Sequence, residues 1–242
     1  MLPARNWRAE EVLHLGLALL LTLAGTLFLF SLLGLLAGKA GHPLPPLAGL
    51  VAGNLGLQLP ALVLLHRFFR SHGTGWIAGL GLRPRQPVRA VALAGGLCAG
   101  ALLVGYPLQA GIAAAMQRLG WEPESQAAIR ILQESGWGGR LMVGWFAVGV
   151  APAVEEALFR GVLFPFFRDR GWTWAAWGGT SLLFGLAHGN AAACLPLALF
   201  GLGLCWLYRQ TGSLSACLLA HGLFNVAGFL VAITGFDPLP AA

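Results

Sequence analysis

Charge is what this sequence has least of. Only 10% of its 242 residues are Asp, Glu, Lys or Arg, against about 25% in a soluble domain. With the 35 glycines added to the hydrophobic 57% and the 2 tyrosines left out, about 70% of the chain is apolar, where a soluble domain has roughly 45–50%. Such a chain cannot cover itself with polar surface, which excludes disordered, collagenous, coiled-coil and ordinary soluble classes. Cysteine is scarce too. Cys98, Cys194, Cys205 and Cys217 lie inside apolar runs with no CxxC pair, so neither a disulfide framework nor a zinc ribbon is indicated. No internal repeat and no low-complexity tail are present. The class that remains is an all-α, polytopic integral membrane protein, one membrane domain overall, with a buried polar cavity.

Long uncharged runs take the place of charge. The 27 residues 12–38 exceed the roughly 20 needed to cross a bilayer. They also exceed the 7–15 apolar residues of a signal peptide, so a retained helix is expected. Further runs predict spans near 46–65, 90–116, 141–167, 172–189, 192–208 and 214–234, about seven in all and eight at most. The uncharged stretch 171–208 is too long for one helix and is expected to turn back at Gly189 and Asn190. Residues 1–140 read as N-terminal helices with a basic second loop, and 141–234 as the part that carries chemistry. If the N-terminus lies inside, ten Lys and Arg fall on inner loops and four on outer ones, so a cytoplasmic N-terminus in a bacterial inner membrane is expected. The net charge of +6 needs no nucleic acid, because these arginines are loop anchors facing anionic headgroups. The loop 117–140, with Glu122, Glu124, Glu134, Ala128, Ile129, Ile131 and Leu132, reads first as a surface loop. Its second reading is a short interfacial helix gating lateral access.

Against this background a few polar residues stand out. Span four contains Glu155, Glu156 and Arg160 near its middle. Three unpaired central charges would cost about 8–10 kcal/mol on the insertion scale, so they must be paired or wetted. Glu156 and Arg160, four apart, share a helical face in the favourable acid-first order, while Glu155 projects about 100° away. A structural ion pair beside a neutralised carboxylate accounts for these three alone. Phe184 and His188 near the end of span five, and His221 and Asn225 in span seven, repeat the spacing of four. By contrast, His14, His42, His66 and His72 lie near span ends or in loops.

A carboxylate, two imidazoles and an amide in a dry site suit hydrolysis. A glutamate in a low-dielectric pocket holds a proton near neutral pH and serves as base and then acid on a water. Histidines position that water, share its proton or bind a metal, and an amide donates to a developing oxyanion. No serine or cysteine pairs with these histidines as a nucleophile, and the HExxH zinc pattern is absent. At 1.5 Å per residue Glu155, His188 and His221 lie roughly 18, 24 and 11 Å from the inner ends of their expected spans. A single site requires tilt, a break at Pro165 or shifted span starts.

With Glu-Glu-x-x-x-Arg, Phe-x-x-x-His and His-x-x-x-Asn in order on successive spans, the chain resembles the CPBP family of CAAX proteases and bacteriocin-processing endopeptidases, also called the abortive-infection family. The family includes the type II CAAX prenyl endopeptidases. The resemblance covers residues 141–234. It implies an intramembrane endopeptidase acting on a peptide or a membrane-anchored or lipidated protein, with Glu155 activating water beside His188 and His221. Asn225 becomes the oxyanion donor, Glu156 and Arg160 the electrostatic frame, and Phe184 a packing or substrate-contact residue. Zinc, if the enzyme uses one, would fall to Glu155, His188 and His221; a metal-free glutamate mechanism is the alternative. An immunity or scaffold protein, and less readily a transporter or proton relay, are the competing readings. Oligomeric state and substrate are not legible.

Overall fold

In a computed structural model, which describes residues 4–5, 7–121 and 127–234, the chain is an all-helical bundle. Six helices are long and apolar enough to cross a membrane: α1 (Ala9–Lys39), α2 (Pro46–Ser71), α3 (Pro87–Arg118), α5 (Trp137–Asp169), α7 (Ala191–Thr211) and α8 (Leu214–Thr234). The seventh expected span is shorter. It forms α6 (Ala175–Ala187) and stops within the bundle. The loop before α5 contains a helix, α4 (Ala127–Glu134), so of the second reading of that segment the helix itself forms. Of its acidic residues, Glu122 and Glu124 lie outside the described residues.

The ends of the helices follow from local chemistry. Pro46 and Pro87 occupy first turns, where a missing N–H costs nothing. The expected hairpin between α6 and α7 forms because Gly189 takes φ +65° and the Asn190 side chain accepts from the Ala193 N–H at 2.9 Å, capping α7. Small residues let the two arms close. A Cβ on Gly185 would stand 2.3 Å from the Cys194 carbonyl oxygen, the close approach that replaces hydrophobic driving force between helices in lipid.

Helix α5 is not a regular α-helix. Two π turns, Phe146–Val150 and Phe159–Leu163, bracket the segment that bears Glu155 and Glu156. Each is followed two residues later by a proline, Pro152 and Pro165. A proline ring clashes with the carbonyl four residues back and leaves it without an N–H, and a widened turn relieves both.

The depth conflict resolves at the end of the bundle that carries the N-terminus. The turn between α7 and α8 is exposed only at Gly212, and its second half is buried. Ser213 is fully buried, its Oγ donating to the Gly81 carbonyl at 2.7 Å, and the Leu214 N–H donates to the Leu80 carbonyl at 3.0 Å. The loop 72–86 covers this turn. Gly81, at φ +71°, presses so closely on Gly212 that any Cβ would overlap its carbonyl oxygen. Arg5 clamps the loop from outside through Thr74 Oγ1 at 3.3 Å and through the Gly79 carbonyl. Trp7 packs beneath α2 against Phe68 and Phe69. Helix α8 thus begins already sunk into the fold, which lowers His221 to the level of Glu155.

Replacing Gly185 by valine is expected to force α6 from α7 and cost about 1–3 kcal/mol by overpacking. Thermal unfolding in detergent checks it, with Gly189→Ala as a turn control that leaves the interface intact.

Candidate active site

Helices α5, α6 and α8 bring the expected residues together. Glu155 Oε2 lies 3.9 Å from His188 Nε2 and 3.8 Å from His221 Nε2. That oxygen is buried and has no hydrogen-bond partner among the described residues. The far sides of both imidazoles are occupied. His188 Nδ1 is 2.7 Å from the Phe184 carbonyl oxygen, which can only accept, so Nδ1 carries the proton. His221 Nδ1 is 2.8 Å from Glu156 Oε1 and donates to that carboxylate. In their neutral forms both rings therefore turn a bare Nε2 lone pair toward Glu155. Three acceptors face one another with no donor between them.

Glu156 and Arg160 form the expected ion pair, at 2.9 Å, with both side chains almost completely buried. Glu156 Oε1 thus serves Arg160 and His221 at once. The second Arg160 nitrogen donates to the Gly201 carbonyl on α7 at 2.9 Å, and the guanidinium lies 4.7 Å from the centre of the Phe184 ring. Phe184 has no exposed surface. Its ring packs on His188 at 4.9 Å and on His221 at 5.6 Å. A ring enclosed in this way has no face for a substrate, which corrects the substrate-contact half of the expectation and leaves the packing half.

Asn225 lies one turn beyond His221 on α8. Its Nδ2 donates to the Ala147 carbonyl at 2.7 Å, in the first π turn of α5. One amide hydrogen is therefore committed to the scaffold and one is available. Sequence reasoning missed three contributors: Phe200, whose ring meets His221 edge-on at 5.8 Å; the backbone carbonyls of Ala147 and Gly201; and the loop 72–86. Backbone acceptors carry no side-chain signal, although the glycine at 201 was a mark of close approach.

One carboxylate and two imidazoles are a zinc donor set by type. Donors 2.0–2.1 Å from a tetrahedral zinc stand about 3.4 Å apart, closer than the 3.8 and 3.9 Å seen here. Among the described residues no group of three or more His, Cys, Asp or Glu is arranged to hold a metal ion. The residues as placed do not fit zinc.

Arg160→Met is expected to strand the buried Glu156 charge and cost about 3–5 kcal/mol. Glu155→Gln removes no hydrogen bond and is expected to change stability little. Denaturant unfolding of the two variants side by side checks the contrast.

The comparisons with known proteins bear on the same segment. Residues 137–227 match the family described as type II CAAX prenyl endopeptidase Rce1-like. No curated protein and no solved structure matches the chain. The matched segment starts at the first residue of α5 and ends just past Asn225, so it encloses Glu155, Glu156, Arg160, Phe184, His188, His221 and Asn225. Through this segment, less than half of its length, the chain is similar to the type II CAAX prenyl endopeptidases.

Proposed function

We propose that the chain is an intramembrane endopeptidase that hydrolyses a peptide bond in a membrane-associated or lipidated protein or peptide, with a water activated by Glu155 and no metal. The observation that carries this reading is the meeting of three lone pairs, Glu155 Oε2 with the Nε2 atoms of His188 and His221, at 3.8–3.9 Å. Bare acceptors in low dielectric repel one another unless a donor stands among them. A water held there gives one hydrogen to Glu155 and the other to an imidazole.

In the reaction Glu155 takes a proton from that water as its oxygen bonds to the scissile carbonyl carbon. The carbonyl π electrons move to oxygen, and the free N–H of Asn225 donates to the resulting oxyanion. The C–N bond then breaks, and the proton held by Glu155 passes to the departing nitrogen, giving a carboxylic acid and an amine. His221, backed by the Glu156 carboxylate, is suited to hold positive charge while the proton moves. His188, fixed by the Phe184 carbonyl, keeps its lone pair on the water. What supports the metal-free form is the mismatch between the donor separations and a zinc sphere. The basic residues support a cytoplasmic N-terminus: Arg83 and Arg85 are exposed on the loop that covers the start of α8, and Arg89 is exposed in the first turn of α3.

The test is cleavage of hydrophobic and lipidated peptides by purified protein in detergent. Glu155→Gln and His221→Ala are expected to lower kcat at least about 100-fold while the Glu155→Gln melting temperature stays near wild type. Cleavage indifferent to both substitutions overturns the reading, and supports a scaffold whose polar cluster only holds helices together. A chelator is expected to leave turnover unchanged; loss that added zinc restores would return the metal mechanism.

A further inference from the structure

The hydroxyl of Tyr106 is used by nothing described so far. Tyr106 sits on α3, which flanks α8 on the side opposite the first π turn of α5. Its ring stacks on Phe224 with centroids 6.5 Å apart and planes 22° from parallel. A phenylalanine would stack equally well, and the chain holds 14 phenylalanines and only 2 tyrosines. The hydroxyl has no hydrogen-bond partner among the described residues, although a Tyr O–H in an apolar setting ordinarily finds one. Yet it is not sealed in, because Tyr106 is only half-buried.

Its direction is given by Gly228. A Cβ built there would meet the Tyr106 hydroxyl at 3.5 Å and no other atom within 4 Å. The phenol oxygen therefore lies directly over Gly228, in ordinary contact distance of where a side chain would begin. On α8, His221, Asn225 and Gly228 fall at i, i+4 and i+7, one stripe along one face. The phenol thus hangs over the same stripe that presents the catalytic imidazole and amide, about 4.5 Å further along the axis than Asn225. On the other side of the stripe stands the π turn: Asn225 donates to Ala147 there, and a Cβ on Gly144 would lie 3.1 Å from the Phe229 ring. Helix α8 thus packs against both α5 and α3, and the glycine at 228 lets the phenol approach its surface.

An extended peptide laid along this stripe repeats at about 3.3 Å per residue, so its carbonyl at the active site and another nearby fall within reach of Asn225 and of the phenol. Asn225 has only one hydrogen to give. We propose that Tyr106 is a substrate-binding residue whose hydroxyl donates to a main-chain carbonyl of the peptide, within one or two residues of the scissile bond, with Gly228 letting the phenol lie close against α8. This rests on the endopeptidase reading and deepens it. Recognition through a backbone carbonyl holds the substrate in an extended form without reading its side chains.

The experiment uses the full chain in detergent and a fluorescein-labelled peptide of alternating leucine and alanine. On a Glu155→Gln background, where nothing is cut, Tyr106→Phe is expected to weaken peptide binding about fivefold by anisotropy, the worth of one neutral hydrogen bond. In the otherwise wild-type enzyme KM is expected to rise by the same factor, with kcat within twofold and the melting temperature unchanged, since the substitution keeps the ring stack and breaks no bond in the free protein. Equal affinity and equal KM in both proteins overturn the proposal, as does a loss explained by a lower melting temperature. The two readings separate cleanly. Binding that responds to Tyr106→Phe in a wild-type protein that cuts nothing overturns the endopeptidase alone, whereas cleavage indifferent to Tyr106→Phe overturns only the role of the phenol.

Discussion

One oxygen atom, Glu156 Oε1, organises the centre of the molecule. It accepts from Arg160 on its own helix and from His221 on α8, in a place with no exposed surface. A carboxylate so buried would be expelled or neutralised if it stood alone. Paired with a guanidinium, it accepts the Nδ1 proton of His221 as well. The state of one imidazole is thereby decided by a salt bridge that touches no substrate. Arg160 extends the same influence to α7 through the Gly201 carbonyl, so three helices are tied to one charge.

Glu155 is treated differently. Glu156 Oε1 has two donors while its Oε2 has none among the described residues; in Glu155 the buried Oε2 is likewise without a donor, and it faces two bare nitrogens. Adjacent residues on one helix, about 100° apart, thus sit in contrasting surroundings, one joined to Arg160 and His221 and one facing two imidazole nitrogens. The π turns on either side of the pair belong to this arrangement. They let prolines enter a membrane helix, and they leave a carbonyl at Ala147 for Asn225 to grip, so the irregular backbone is satisfied by a side chain from another span.

Much of this was legible from spacing alone. Four-residue intervals put Glu156 with Arg160, Phe184 with His188 and His221 with Asn225, and lipid makes any such polar group costly enough to notice. What spacing cannot show is which way a pair faces, or what a backbone carbonyl does. The bond from His221 to Glu156 joins residues 65 apart and cannot be read from either motif. Phe184 looks like a substrate contact until its burial between two imidazoles is seen. Tyr106 carries no motif, because its partners Phe224 and Gly228 lie more than a hundred residues away. Helix α6 is shorter than the uncharged stretch that announced it, because hydropathy records how apolar a stretch is and not how much of it is helical. The height of His221 was misjudged for a related reason: Ser213 and Leu214 look like an exposed turn and are buried under Leu80 and Gly81.

That covered turn has a mechanical meaning. A segment with no catalytic group, wedged between the tail of one helix and the head of the next, sets how far below the membrane face the imidazole of His221 rests. Each residue of slack there would slide the ring along the bilayer normal by about 1.5 Å, several times the tolerance of proton transfer. The loop 72–86, through Leu80 and Gly81, therefore sets the level at which His221 meets Glu155.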